Sequence, residues 1–265
     1  MTMEDQMQRQ RFERKYFINE QQALQVREFV KNYLVLDEFS VGKENYCYPV
    51  HSVYLDSDDL LTYWATVHCE KTRFKLRVRF YDDKPDSPLF FEIKRRENEC
   101  ILKQRAMVHR CHGEHLLAGH VPGPQHLVKN KPSHLAALQR FSYLMHRIHA
   151  RPMEHVAYMR EAWVSAQNNS VRVTVDRQVR GEPYHKSVFT TRMQNPIYPF
   201  GKNHVLEIKF TDRFPDWLGI MVRQFDFLQT GAPKYCGSVM LSGEEKCPWR
   251  DADSVQQKLA HLRNI

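Results

Sequence analysis

From Arg73 to Phe80 the chain alternates strictly, with Arg73, Lys75, Arg77 and Arg79 at odd positions and Phe74, Leu76, Val78 and Phe80 at even ones. Successive side chains of a strand point to opposite faces, so this stretch predicts a strand with one cationic and one apolar face. The same period recurs elsewhere. Arg11–Ile18, residues 50–56, Leu89–Lys94, Ile101–Val108, Val156–Val164, Val171–Asp176 and His204–Thr211 also read as strands. The middle strands are joined by short turns at Asp82–Pro88 and Glu97-Asn98-Glu99, which favours antiparallel pairing.

Helical spacing fills the intervals. Asn19, with Gln22 three residues on, is a capping-box start for a helix running to about Leu34. Further helices are predicted over Ser57–Val67, Ser133–His149 and Phe214–Gln229, the last ended by Gly231 at its C′ position. Residues 113–132 are rich in Gly and Pro and read as a loop. The first ten residues are polar, and so is the tail from Gly243, which carries a short helical pattern at Ser254–Arg263. One domain over residues 11–240, followed by a polar tail over 241–265, is the expected organisation.

Length and composition narrow the partners. A chain of 265 residues with ordinary apolar content can bury a substantial core. Its formal charge of +8 calls for an acidic partner. The six cysteines include no C-x-x-C pair and read as reduced thiols of a cytoplasmic protein. No apolar run approaches the roughly 18 residues that would span a bilayer. His109, Cys111, His112, His115 and His120 are close in sequence, but their spacing fits no standard zinc pattern. Walker A, Rossmann glycine and H-E-x-x-H patterns are absent. The basic strands lack an interleaved set of exposed aromatics for base stacking, so no nucleic-acid partner is expected.

The chemistry concentrates on the charged strand faces. Glu92 and Lys94 share a face, as do Glu207 and Lys209, in the near copies Phe91-Glu92-Ile93-Lys94 and Leu206-Glu207-Ile208-Lys209. Glu13 and Lys15 form a third such pair. Lys103, Arg105, Arg160 and Arg172 add cations from other strands. A solvated face of an antiparallel sheet would carry mixed charge with no preference for Arg. The lining of a closed barrel would instead let guanidiniums grip phosphate while a few carboxylates hold a divalent ion. Alternation alone leaves both readings open.

The order and spacing of several motifs resemble one family. They are Phe12-Glu13-Arg14-Lys15-Tyr16, Ser52-Val53-Tyr54-Leu55-Asp56, Lys75-Leu76-Arg77-Val78-Arg79-Phe80-Tyr81, Phe91-Glu92-Ile93-Lys94, Lys103-Gln104-Arg105, Tyr158-Met159-Arg160-Glu161-Ala162, Arg172-Val173-Thr174-Val175-Asp176, Leu206-Glu207-Ile208-Lys209 and Lys234-Tyr235. Together they resemble the triphosphate tunnel metalloenzymes, specifically the catalytic domain of vacuolar transporter chaperone (VTC) type polyphosphate polymerases. Two departures stand out. Arg11 replaces the first Glu of the Glu-x-Glu-x-Lys opening of the thiamine-triphosphatase and adenylate-cyclase branch, which favours the polymerase branch. Pro233-Lys234 stands where that family often has Ser-Lys.

The resemblance implies an α+β fold: a closed antiparallel eight-stranded β-barrel tunnel with flanking helices. It implies phosphate-gripping, catalytic roles for Arg77, Arg79, Lys94, Arg160, Arg172 and Lys234, and for Lys15 at the substrate. Arg73, Lys75, Lys103, Arg105 and Lys209, on the same faces, are expected to add to substrate binding. Glu207 matches the family's metal-binding glutamate, and Glu92 and Glu13 are expected to join it around Mn²⁺ or Mg²⁺. The implied reaction transfers the γ-phosphoryl group of ATP to a growing polyphosphate chain, and export of the product would need a separate membrane protein. A tunnel hydrolase of tripolyphosphate or nucleoside triphosphates, and a non-catalytic polyphosphate-binding module, remain the alternatives.

Overall fold

The computed structural model describes residues 11–98, 100–167 and 170–243. In chain order the elements are β1 (Arg11–Ile18), α1 (Glu20–Val30), β2 (Val35–Leu36), β3 (Cys47–Asp56), α2 (Leu61–Val67), β4 (Thr72–Phe80), β5 (Leu89–Glu97), β6 (Cys100–Val108), α3 (Gly113–Leu117), α4 (Pro132–Arg147), β7 (Arg151–Val164), β8 (Val171–Pro183), β9 (His204–Thr211), α5 (Asp216–Gln224) and α6 (Lys234–Ser242). All eight expected strands are present, and β9 has the bounds that alternation predicts. The helix predicted from Ser254 lies outside the described residues.

The strands form one nine-stranded sheet of order β1-β9-β8-β7-β3-β4-β5-β6, with β2 added on β7. This corrects the expectation of a closed eight-stranded barrel. The order has two ends, β1 and β6, which do not pair with each other, so the sheet is open. β6 has the marks of a protected edge. Leu102, Lys103, Gln104 and Arg105 along it are exposed, and long cationic side chains on an edge discourage further strand pairing. The observed class is α+β with an open antiparallel sheet and flanking helices.

The chain divides into two compact units. Among the described residues, one comprises residues 11–48, Met159–Gln178 and Phe200–Ala232; the other comprises Pro49–Tyr158, Val179–Pro199 and residues 233–243. Each has its own core. In the first, Tyr16, Ile18, Val173, Val175, Leu206 and Ile208 from the strands pack with Ala23, Val26 and Val30 of α1 and Leu218 and Met221 of α5. The capping box opens α1 as the sequence predicts, with Gln22 N donating to Asn19 Oδ1 at 2.8 Å and Asn19 N to Gln22 Oε1 at 3.0 Å. The predicted helix over 214–229 is shorter than expected. Asp226 takes a left-handed conformation just past Gln224, which stops the helix before Gly231 is reached.

In the second unit the even residues of β4 (Phe74, Leu76, Val78 and Phe80) are buried with Leu89, Phe91 and Ile93 of β5 and with Leu138, Phe141 and Met145 of α4. The Phe91 and Phe141 rings meet edge to face at 5.0 Å. Covering this face with α4 leaves the odd residues of β4 to the opposite face. The period of two therefore does what the sequence implied: one set of side chains builds the core, and the other is delivered together as charge.

Candidate functional site

The charged residues picked out by the sequence fall into two groups, one in each unit. The first unit holds Glu13 and Lys15 on β1, Arg160 on β7, Arg172 on β8, and Glu207 and Lys209 on β9. Register sets the pairs: Glu13 faces Lys209 and Lys15 faces Glu207 across β1 and β9. Lys15 Nζ lies 2.9 Å from Glu13 Oε1 and 3.6 Å from Glu207 Oε2, while Lys209 Nζ lies 2.5 Å from Glu207 Oε1 and 3.9 Å from Glu13 Oε2. Two carboxylates and two ammoniums thus alternate around one point. Arg160 grips the fully buried Asp176 through two hydrogen bonds of 2.6 and 2.7 Å, and Arg172 pairs with Asp37 at 3.0 Å.

Glu13 and Glu207 supply hard oxygens of the kind that Mg²⁺ or Mn²⁺ takes one or two at a time, with water and phosphate completing the shell. The donor set fits such an ion in that limited sense. Among the described residues no group of three or more His, Cys, Asp or Glu is placed to hold a metal by itself, the histidine-rich stretch around Cys111 included.

The second unit holds the denser array. Arg73, Lys75, Arg77 and Arg79 stand on β4, Glu92 and Lys94 on β5, Lys103 and Arg105 on β6, and Lys234 at the start of α6. The ladders arrange them in rows. Tyr54, Arg77, Glu92 and Arg105 are successive partners across four strands, and Lys75, Lys94 and Lys103 across three. Like charges directly opposite each other destabilise a sheet, by up to about 1 kcal/mol a pair.

Glu92 balances part of this charge. Fully buried, it accepts from Arg77 Nη2 at 2.6 Å, Arg105 Nη2 at 2.6 Å and Lys103 Nζ at 2.7 Å. Burial works to raise its carboxyl, but Arg77, Arg79, Lys103 and Arg105 outweigh that and hold it well below the usual carboxylate range. Crowding by protein atoms and the nearby guanidiniums lower the Lys103 ammonium against the opposing pull of Glu92, a shift that the exposure of its side chain moderates.

Arg79 is different. It is buried, and the atoms that hold it are neutral: Ser52 Oγ at 3.5 Å and the Tyr158 hydroxyl at 3.3 Å. Arg77 Nη1 likewise reaches the Tyr54 hydroxyl at 3.2 Å. Burial opposes ionisation of Tyr54, yet Arg77, Arg79 and Lys75 bring its hydroxyl down to about 8. Lys75 Nζ lies 3.2 Å from Cys236 Sγ and 5.1 Å from the centre of the Tyr235 ring, and Lys234 Nζ lies 4.9 Å from that of Tyr158. Arg73 donates to the Glu70 carbonyl.

Sequence reasoning assigned no role at the site to Tyr54, Tyr158, Ser52, Asp37 or Cys236. Ser52 and Tyr54 were within reach, because they alternate on β3 with the buried Val53 and Leu55. Asp37 and Cys236 lie outside any predicted strand, so no periodic signal marks them.

Fold and site together define an α+β protein whose antiparallel sheet gives one face to the core and the other to clustered charge. The chain belongs to the VTC domain family, whose model matches residues 10–242. No curated protein matches the chain. Among solved structures it is similar to a candidate adenylate cyclase from Bacillus halodurans, at 12% identity and a TM-score of 0.47, over 84% of this chain and 94% of that one. No helix among the described residues is long and apolar enough to cross a membrane.

Proposed function

We propose that the protein, within residues 11–240, is a polyphosphate polymerase that takes the γ-phosphoryl group of ATP. A terminal oxygen of the growing chain attacks the γ-phosphorus, the bond to the β–γ bridging oxygen breaks, and ADP leaves with that electron pair. Such transfer needs little covalent help from a protein and depends on positioning and charge neutralisation. The observation that carries the reading is the array around Glu92. Arg77, Lys103 and Arg105 converge on one buried carboxylate, and beside them the buried Arg79 donates to the neutral oxygens of Ser52 and Tyr158. Taking a guanidinium out of water costs several kcal/mol, and a phosphate oxygen would supply Arg79 with the direct ionic contact that Ser52 and Tyr158 do not.

In this reading Arg77, Arg79, Lys94 and Lys234 grip the phosphates, with Arg73, Lys75, Lys103 and Arg105 extending the grip along the chain. Glu92 has Arg77, Lys103 and Arg105 on its oxygens, and its role is to fix those cations. In the other unit, Glu13 and Glu207 would hold Mg²⁺ or Mn²⁺, steadied by Lys15 and Lys209, while Arg160 and Arg172 add positive charge. The ion, when bound, would supply charge neutralisation to phosphate oxygens. A cytoplasmic setting, where ATP is abundant, suits this reaction, and delivery of the product across a bilayer would fall to a separate membrane protein.

Incubating the purified protein with ATP, Mn²⁺ and a short polyphosphate primer, then sizing the product on a gel, tests the reading. Growth of the primer is the expected result. Phosphate release without growth would make the protein a hydrolase, and binding without turnover would make it a binding module. Either outcome overturns the polymerase.

A further inference from the structure

The helix that carries Lys234 is short, is not signalled by the sequence, and is tied down with unusual care. α6 spans nine residues, Lys234–Ser242, several of them poor helix formers. A helix of this length is marginal on its own, so its position depends on tertiary contacts. Two of those contacts enter fully buried carboxylates. The Tyr235 hydroxyl donates to Asp56 Oδ2 at 2.7 Å, and Ser238 Oγ donates to Glu154 Oε1. Tyr235 and Ser238 are three residues apart and so share one side of the helix.

The surrounding chain is built to receive that side. A Cβ placed on Gly181 would come within 1.7 Å of Ser238 Oγ, so only glycine lets the helix settle there. Asp56 also accepts from Ser57 N, Thr62 N, Thr62 Oγ1 and Tyr63 N, which ties the same carboxylate to the start of α2. The Tyr235 ring stacks on Tyr54 with centroids 4.9 Å apart, and Tyr54 accepts from Arg77. The seat of α6 is thus continuous with a residue of the phosphate grip. From that seat the helix presents Lys234 to Tyr158, the tyrosine that holds Arg79.

We infer that Tyr235 and Ser238 are positioning residues: their hydrogen bonds to Asp56 and Glu154 seat α6 so that Lys234 takes its place in the anion grip. The inference rests on the phosphate-binding reading above and adds to it the residues that set Lys234 in place. A helix free to shift would leave that ammonium to sample many positions, and a misplaced cation loses most of its value to a bound phosphate. Neither Tyr235 nor Ser238 need touch the ligand.

A double-mutant cycle on tripolyphosphate binding, measured by calorimetry on the full chain, separates positioning from general stability. Lys234→Ala, Tyr235→Phe and the double variant are compared with the unmodified protein, and Ser238→Ala is paired with Lys234→Ala in a second cycle. Tyr235→Phe keeps the ring and its stacking and removes only the hydroxyl. The expected result is at least about a fivefold loss of affinity for each of Tyr235→Phe and Ser238→Ala. In the Lys234→Ala background neither change should weaken binding further. Losses that multiply, or no loss from either positioning variant, would overturn the inference while leaving the phosphate grip standing. Should Tyr235→Phe fail to fold, the Ser238 cycle decides alone. If the unmodified protein bound no tripolyphosphate, the functional reading itself would fall, and this inference with it.

Discussion

Arg77 and Glu92 stand directly opposite each other on β4 and β5, and their side chains meet at 2.6 Å around a carboxylate that is fully buried. Lys103 and Arg105 reach the same carboxylate from β6. Glu92→Gln would keep the shape and remove the negative charge at the centre of this group. Loss of one partner from a buried ionic cluster costs about 3–5 kcal/mol. The variant should be destabilised by that order in phosphate-free denaturant titrations. Tripolyphosphate should return more stability to it than to the unmodified protein, because the ligand takes over the missing charge. Equal stabilisation of both proteins by tripolyphosphate would count against an anion site at Glu92.

Arg79 gives the opposite signature. Its hydrogen-bond partners, Ser52 and Tyr158, are uncharged, so they offset its lost hydration only in part. Arg79→Met retains much of the volume and removes the charge. Stability without ligand should hold or rise, because the guanidinium no longer has to be taken out of water. Affinity for tripolyphosphate should fall at least about tenfold, the value of one hydrogen bond to a charged group. Thermal melts and calorimetry on the same sample read both. A variant both less stable and unimpaired in binding would show Arg79 to be a structural residue.

The period of two made the strands and their faces legible, because burial of one face forces the alternation that a reader of the sequence sees. Glu207 and Lys209 could be placed together on that ground alone, and they share a face of β9. Closure of the sheet was not legible. Alternation decides which way a side chain points, whereas the ends of a sheet depend on pairing between distant strands, and β1 and β6 do not pair. Helix α6 was missed for a different reason. Gly237 and Ser238 make its sequence locally unpersuasive, and the contacts that fix it come from Asp56 and Glu154, far away in the chain. Asp37, which meets Arg172, follows β2, a strand of two residues too short to leave a periodic trace.

A buried histidine pair predicts how stability responds to acid. His51 Nδ1 and His155 Nε2 lie 3.1 Å apart, packed against Phe80 and, for His155, Tyr184. Burial and the nearby Arg180 bring His51 down to about 4. Burial, His51 and Arg180 bring His155 down to about 3, and Asp83 opposes both shifts only weakly. In the unfolded chain each would titrate near 6.5. Between about pH 6.5 and 4 the unfolded state therefore binds more protons, so stability rises with pH across that window and falls on acidification. Each histidine adds a slope of up to about 1.4 kcal/mol per pH unit. Denaturant titrations from pH 7.5 to 4.5 should show this loss, and His51→Asn with His155→Gln should flatten it. An unchanged slope in the double variant would place the acid sensitivity elsewhere.

Glu207 offers the sharpest choice between two roles. Its carboxylate has Lys209 at 2.5 Å and Lys15 at 3.6 Å, which is what simple charge balance would look like. Glu13 lies within reach of the same two ammoniums, and paired carboxylates so held are also what a divalent ion bridging to phosphate would use. Glu207→Gln distinguishes the two because it keeps the shape and removes the charge. If the residue only balances charge, the variant is more positive, so it binds tripolyphosphate as well or better and phosphoryl transfer changes little. If it holds the ion, polyanion binding survives while transfer falls by about 10²–10³, the loss seen when one contact to a transition state is removed. Raising Mn²⁺ should then restore part of the rate, because a weakened site fills at higher concentration. We expect the second pattern, read from primer extension over a Mn²⁺ series beside calorimetry of tripolyphosphate binding. Full transfer by Glu207→Gln at low Mn²⁺ would assign the carboxylate to charge balance and leave the ion to be held elsewhere.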